Sequence, residues 1–308
     1  MATQIELPEL QQRLRSVDKL LSQTLMDQGA PTEPQEFLDW LWPLISTCSN
    51  CPLANGRNTV VKSDGLASAS IMVIGEGPGS LEDLSGLPLV GPLELQASRC
   101  ATCENSLVCY SNKLLRKPTS WGGKRKHVIC NERQTGQPTL PHQFYMRSTG
   151  AIVDGLLLKK WKMAYPRHCW LGLHSTDSEI EAPCSPFYIC NTTHCRSWDK
   201  TNLTDHTPTF QCREACRPWF NAEWAAVNPK AIIALGRVAL TFLLRSEDKA
   251  SQVTNGAWVA TKYGPTIFSN HPAYYMRLED QQQKALGYAK LAKVFERALS
   301  SCGFQVEE

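Results

Sequence analysis

Apolar positions fall into two textures along the chain. Near the N-terminus Leu7, Leu10, Leu14, Val17, Leu21 and Leu25 recur every three or four residues, which predicts one amphipathic helix over 7–27, ending before Gly29. Phe37, Leu38, Leu41 and Trp42 repeat that spacing over 33–42, with Pro43 as the expected stop. Further on, the apolar residues become short continuous runs: Ile71–Ile74, Phe187–Cys190, Ala231–Leu235 and Thr266–Phe268. Such runs, bounded by Gly, Pro or Asn, read as strands buried on both faces. Helical spacing lies between and after them, over 150–163, 213–227, 237–244 and 281–299. Strands alternating with helices predict an α/β fold of three layers, α/β/α, around a central four-stranded parallel sheet.

The periodicity lapses from Leu93 to Arg147, where the chain turns polar and basic. We therefore divide it into an N-terminal helical segment (1–45), a main domain (46–300), and a Cys-rich basic insertion within that domain (93–147). No repeat is visible. The 308 residues suffice for a large core. With 32 basic against 29 acidic residues there is no global field that announces nucleic acid, although basic residues cluster from Lys113 to Arg133. No apolar run is long enough to span a bilayer, and the first residues lack a charged-then-apolar leader, so a cytoplasmic, reducing setting is expected.

That setting gives the 13 cysteines meaning. Cys48/Cys51 and Cys100/Cys103 have the Cys-x-x-Cys spacing that brings two thiolates from one turn to the same metal, which favours ligation over a disulfide framework. The first strand runs into Gly75-Glu76-Gly77-Pro78-Gly79, a turn that sets backbone N–H groups beside a carboxylate. Open parallel sheets bind ligands at that end of their strands. A plain acidic connection is the competing reading. Asn191 closes the second strand, and Ser269-Asn270-His271-Pro272 follows the fourth.

Together these segments resemble the iron–sulfur uracil-DNA glycosylases, the family four and five type of the uracil-DNA glycosylase superfamily. Cys48-x-x-Cys51-Pro-Leu with Arg57, the Gly75–Gly79 turn with Glu82-Asp83 and Gly86-x-Pro88-x-Val90-Gly91, Tyr188-Ile189-Cys190-Asn191 with Cys195-Arg196, Cys216-Arg217-Pro218, and His271-Pro272-Ala273 stand in the family's order. The resemblance implies a DNA glycosylase that flips out and hydrolytically excises uracil, or a related modified pyrimidine, and acts as a monomer on DNA without a membrane. It implies that His271 meets the oxygen on which charge develops, that Asn191 reads the base edge, and that Glu76 orients water, with Glu82 or Asp83 as second candidates. Gly75, Gly77, Pro78, Gly79, Glu82, Asp83 and Leu89 would line the substrate. Tyr274, Tyr275, Met276 and Arg277 would supply the wedge that fills the gap left by a flipped base. Cys48, Cys51, Cys195 and Cys216 would hold a 4Fe–4S cluster, with zinc as the other reading; helix caps and core packing remain the plain alternatives for Glu82, Asp83 and the tyrosines.

Two departures stand out. The family carries an aromatic platform where this chain has Leu89. The insertion adds Cys100, Cys103, Cys109 and Cys130 with His127, a zinc-site composition beside lysines and arginines suited to phosphates. Both features keep open a second reading: a catalytically altered or inactive relative that binds DNA or a modified base and bears an added zinc module.

Overall fold

The computed structural model describes residues 8–86, 88–89, 186–199 and 204–304. The helix expected at 150–163, the insertion 93–147 and the proposed zinc ligands Cys100, Cys103, Cys109 and Cys130 lie outside the described residues.

The first predicted helix is two: α1 (Glu9–Val17) and α2 (Lys19–Asp27). Asp18 breaks them by adopting extended backbone and accepting the Leu21 N–H at 3.0 Å, a side-chain cap that competes with helix continuation. α3 (Pro34–Ser46) runs through Pro43 instead of stopping there. A proline late in a helix removes one donor but leaves the remaining turn intact.

The sheet takes the order β2-β1-β5-β7-β6, from β1 (Ile71–Gly75), β2 (Phe187–Asn191), β5 (Ala231–Leu235), β6 (Trp258–Thr261) and β7 (Gly264–Ser269). The first four in that order are parallel, as expected. The correction is β6, an antiparallel edge strand that makes the sheet five-stranded. Its residues are half-exposed, so they carry no continuous apolar run to be read. A separate small ribbon joins β3 (Trp198–Asp199) to β4 (Thr204–Asp205).

Alternate residues of each strand face opposite layers. Ile71, Val73, Phe187, Ile233 and Ile267 pack with Leu291, Val294 and Phe295 of α9 (Gln281–Ser301). Met72, Ile74, Tyr188, Ile232 and Phe268 face the other way, toward α5 (Phe210–Val227), α6 (Arg237–Leu244) and the N-terminal helices, where Leu14, Phe37 and Leu41 are almost wholly buried. The three-layer α/β/α expectation holds. Three further α-helices are short: α4 (Ser80–Ser85) after β1 and α8 (Pro272–Met276) after β7, both at the sheet's carboxyl edge, and α7 (Glu247–Gln252) following α6.

β1 lies between β2 and β5, so the chain leaves it in both directions. That is the switch point at which parallel sheets open a crevice at their carboxyl ends. Among the described residues no helix is long and apolar enough to cross a membrane.

Candidate active site and cysteine cavity

The carboxyl ends of β1, β2, β5 and β7 bring the sequence motifs to one edge. Gly75 pairs in register with Asn191. A Cβ on Gly75 would lie 2.2 Å from Asn191 Oδ1, so only glycine admits this asparagine amide across the strand. Asn191 is 6% exposed and ends the strand, with its side chain against the turn that carries Glu76. The Thr192 N–H donates to the Gly75 carbonyl at 3.0 Å, and the Thr192 hydroxyl donates to the Glu76 carbonyl. Gly77 is equally confined: a Cβ there would meet Thr193 Oγ1 at 3.0 Å and Pro208 Cγ at 3.1 Å.

The second-candidate carboxylates are otherwise engaged, which corrects their placement as water- or substrate-binding groups. Glu82 sits at the third position of α4 and reaches back to accept the Gly79 N–H at 2.5 Å, while its other oxygen accepts the Leu89 N–H. Asp83 is fully buried and accepts the Asn58 N–H at 2.8 Å together with the Asn58 side-chain amide. Both fasten backbone. That leaves Glu76 as the half-buried carboxylate of the motif.

His271 caps α8. Its Nδ1 accepts the Ala273 N–H at 3.3 Å, which fixes the tautomer: the proton of the neutral ring resides on Nε2, a donor. Burial, reinforced by the nearby Arg277 guanidinium, lowers its pKa to about 4. The ring is therefore neutral at physiological pH. Gly236, at φ 93°, lets β5 turn away directly beneath it, 3.2 Å from the His271 Cβ when a side-chain carbon is placed there.

The wedge divides. Tyr274 is 53% exposed and Arg277 is exposed beside it. Tyr275 is corrected from wedge to core: it is 3% exposed, its hydroxyl accepts from Asn255 Nδ2 at 3.0 Å, and its ring presses on Gly287 of α9 so closely that a Cβ there would stand 2.2 Å away. Leu89, too, turns inward. It adopts φ 50° and joins the apolar cluster on the α9 side at 5% exposure.

On the opposite layer Cys48, Cys51, Cys195 and Cys216 line one small cavity, together with Arg57, His194 and Trp219. Cys212 does not line it, but lies close enough to Cys51 to help raise that thiol's pKa. Three N–H groups point at the sulfurs: Arg57 Nη1 to Cys195 at 3.2 Å, the His194 main chain to Cys216 at 3.4 Å, and Trp219 Nε1 to Cys48 at 3.3 Å. Burial pushes the Cys216, Cys195 and Cys51 thiols upward, so thiolates here need a cationic centre to hold them. No disulfide links any described cysteine, and among the described residues no three His, Cys, Asp or Glu side chains close on a single-ion site. Four thiols lining one cavity, with N–H donors aimed at three of their sulfurs, could together hold a metal centre. The donor residues other than Arg57 escaped sequence reading, because no motif spacing marks a Trp or a main-chain N–H as a sulfur partner.

Beside the cavity His194 bridges to Glu223 at 3.5 Å, and Tyr188 donates to the same carboxylate at 3.0 Å. Glu223 raises the pKa of the His194 ring against the opposing effect of burial. This pair is buried where the sheet packs against α5.

The model of the uracil DNA glycosylase superfamily matches residues 63–292. A protein of Thermotoga maritima named type-4 uracil-DNA glycosylase is 24% identical over 246 residues, 79% of this chain and 85% of its own length. Proteins of the same name from Pyrobaculum aerophilum and Saccharolobus solfataricus are each 41% identical over 54 residues, 18% of this chain and 28% and 25% of theirs.

Proposed function

The chain belongs to the uracil DNA glycosylase superfamily, and from that premise we propose that it hydrolyses the N-glycosidic bond of uracil in DNA, as the type-4 name of its relatives suggests. The observation that carries this reading is the neutral His271, held as an acceptor at Nδ1 and hence as a donor at Nε2, at the same sheet edge as Asn191 and Glu76.

When the C1′–N1 bond breaks, both electrons leave with the base and negative charge spreads onto its oxygen. The Nε2–H of His271 stabilises that charge without itself losing a proton. A neutral imidazole does this with a fixed dipole, the form of stabilisation that contributes most in many enzymes. Asn191 offers one acceptor and one donor in a plane set by Gly75, a pattern complementary to an imide edge such as that of uracil. Water adds to C1′ on the face opposite the departing base. Glu76 orients it and takes up its proton as the new C1′–O bond forms. Tyr274 and Arg277, both exposed, would offer a ring and a cation to the strand around an extruded nucleotide.

Cys48, Cys51, Cys195 and Cys216 are the residues that would hold a 4Fe–4S cluster. Bound there, it supplies a cross-link between the segment before β1, the loop after β2 and α5, and the hydrolysis needs no electron from it. A DNA partner and a monomeric state accord with the same reading.

Leu89 favours a second reading on one ground: a buried aliphatic side chain offers no π-face to a flipped base. The test is direct. Single- and double-stranded oligonucleotides with one uracil are incubated with the purified protein and then treated with alkali, which cleaves at abasic sites. Cleavage that disappears in His271→Ala supports the glycosylase. A wild type inert on both substrates, yet retaining oligonucleotide affinity, assigns it to the altered, base-binding reading.

A further inference from the structure

Resting on the glycosylase reading, we propose that Thr192 is a positioning residue for the Glu76 carboxylate, acting from the neighbouring strand through the main chain. Thr192 is the first residue beyond β2 and is 1% exposed. Its N–H meets the Gly75 carbonyl at 3.0 Å and its hydroxyl donates to the next carbonyl, that of Glu76. Main-chain pairing between β1 and β2 ends at Gly75 and Asn191. The threonine side chain thus prolongs the ladder by one step, in place of the main-chain bond the turn can no longer make.

That step falls at the residue on which catalysis rests. Gly75 and Gly77 flank Glu76, and both would otherwise leave its peptide planes free to rotate. Steric closeness restrains the two glycines, since Asn191 crowds one and Thr193 with Pro208 crowds the other. Packing fixes where the turn lies, but a hydrogen bond is what fixes the direction of a carbonyl. By orienting the Glu76 carbonyl, Thr192 sets the rotation of the peptide plane leaving that residue and with it the direction of its Cα–Cβ bond. A carboxylate that must meet a water beneath a sugar depends on that direction, because misplacement by a fraction of an ångström lowers rate without lowering affinity.

No titration, redox step or bound group is needed for the effect. A serine retains the hydroxyl; a valine preserves shape and removes it. Thr192→Val should lower kcat about three- to tenfold, the worth of one net hydrogen bond, and leave KM within about twofold because the base-reading groups are untouched. Thr192→Ser should recover most of the loss. In a Glu76→Gln background Thr192→Val should add nothing further, since its route to the chemistry is already cut. Hydrogen exchange of peptides spanning 75–79 gives a readout that requires no turnover: faster in Thr192→Val, restored in Thr192→Ser, with melting temperature lowered by no more than the few degrees that one buried hydrogen bond accounts for. Losses that multiply in the Glu76→Gln background, or exchange at 75–79 indifferent to the valine, overturn the proposal. A wild type inert on uracil DNA defeats the glycosylase reading, and the exchange experiment still decides whether Thr192 holds the turn.

Discussion

His271 permits a quantitative test of the leaving-group argument. A pKa of about 4 leaves only about one ring in a thousand protonated at pH 7, so the donor is a neutral Nε2–H. His271→Ala deletes that donor and the weak Nδ1 cap of α8, yet keeps the Cβ that faces Gly236. Loss of one preorganised donor to a developing anion lowers kcat by about 10²–10³-fold, or about 2.7–4 kcal/mol. The lost cap lowers stability by about 1 kcal/mol and does nothing else. Single-turnover excision on a uracil oligonucleotide separates the two, because the stability change does not reach a folded protein's rate. His271→Gln, which restores an uncharged N–H, should recover part of the rate. The sign of the pH dependence follows from the lowered pKa: between the ordinary value of 6.5 and about 4 the unfolded chain binds the proton that the folded site refuses. Stability is thus complete above about 6.5 and declines as pH falls toward 4, by up to about 3 kcal/mol. The acid limb of kcat/KM should lie near pH 4 and not at 6.5. A limb at 6.5 that vanishes in His271→Gln, or a His271→Ala rate within threefold of wild type, would refute the neutral-donor reasoning.

Three other outcomes are open to measurement. Cys216→Ser should lose iron and brown colour from anaerobically purified protein, whereas Cys212→Ser, outside the cavity lining, should keep both; iron analysis with visible absorbance decides, and stoichiometric zinc in their place would sink the cluster. Gly77→Asp should not gain a catalytic base but lose activity and thermal stability, because even a Cβ meets Thr193 and Pro208; a faster enzyme contradicts the packing. Tyr275→Ala should destabilise by about 3–5 kcal/mol in denaturant titration, as for a buried aromatic, while Tyr274→Ala should stay within about 0.5 kcal/mol and instead weaken binding to DNA in fluorescence anisotropy.

What could be read from the chain depended on whether a signal was local. The four parallel strands announce themselves by consecutive apolar residues, since each is buried on both faces, and their order of motifs points to one sheet edge. β6 stayed hidden because a half-exposed edge strand has no such run. Asp18 and Pro43 misled for the same reason: whether a side chain caps a new helix or a proline ends one is settled by the packing around α5, to which Asn221 adds a bond to Asp18 at 3.4 Å. Within the site, Asn191 and His271 were legible as strand-end residues. For Glu82 and Asp83 the sequence left capping and substrate binding both open, because a carboxylate beside a turn looks alike whether it faces water or an amide. Tyr274 and Tyr275 are neighbours of one type, and only the approach of Gly287 tells which is buried.

The Gly75–Asn191 pairing also has a bearing on how such a chain can grow. β1 and β2 are adjacent in the sheet although more than a hundred residues separate them in sequence, and their junction is secured by their own register and by the asparagine seated over glycine. Closing a longer connection between ends already held together adds only about 0.6 kcal/mol for each doubling of its length. Additional sequence can therefore accumulate between these two strands over generations with little effect on the edge that carries Glu76, Asn191 and His271. By contrast, a single residue inserted between Asn191 and Cys195 would displace the Asn191 amide from the thiol four positions later. In this architecture novelty has a permitted address, and the five residues from Asn191 to Cys195 are where it is forbidden.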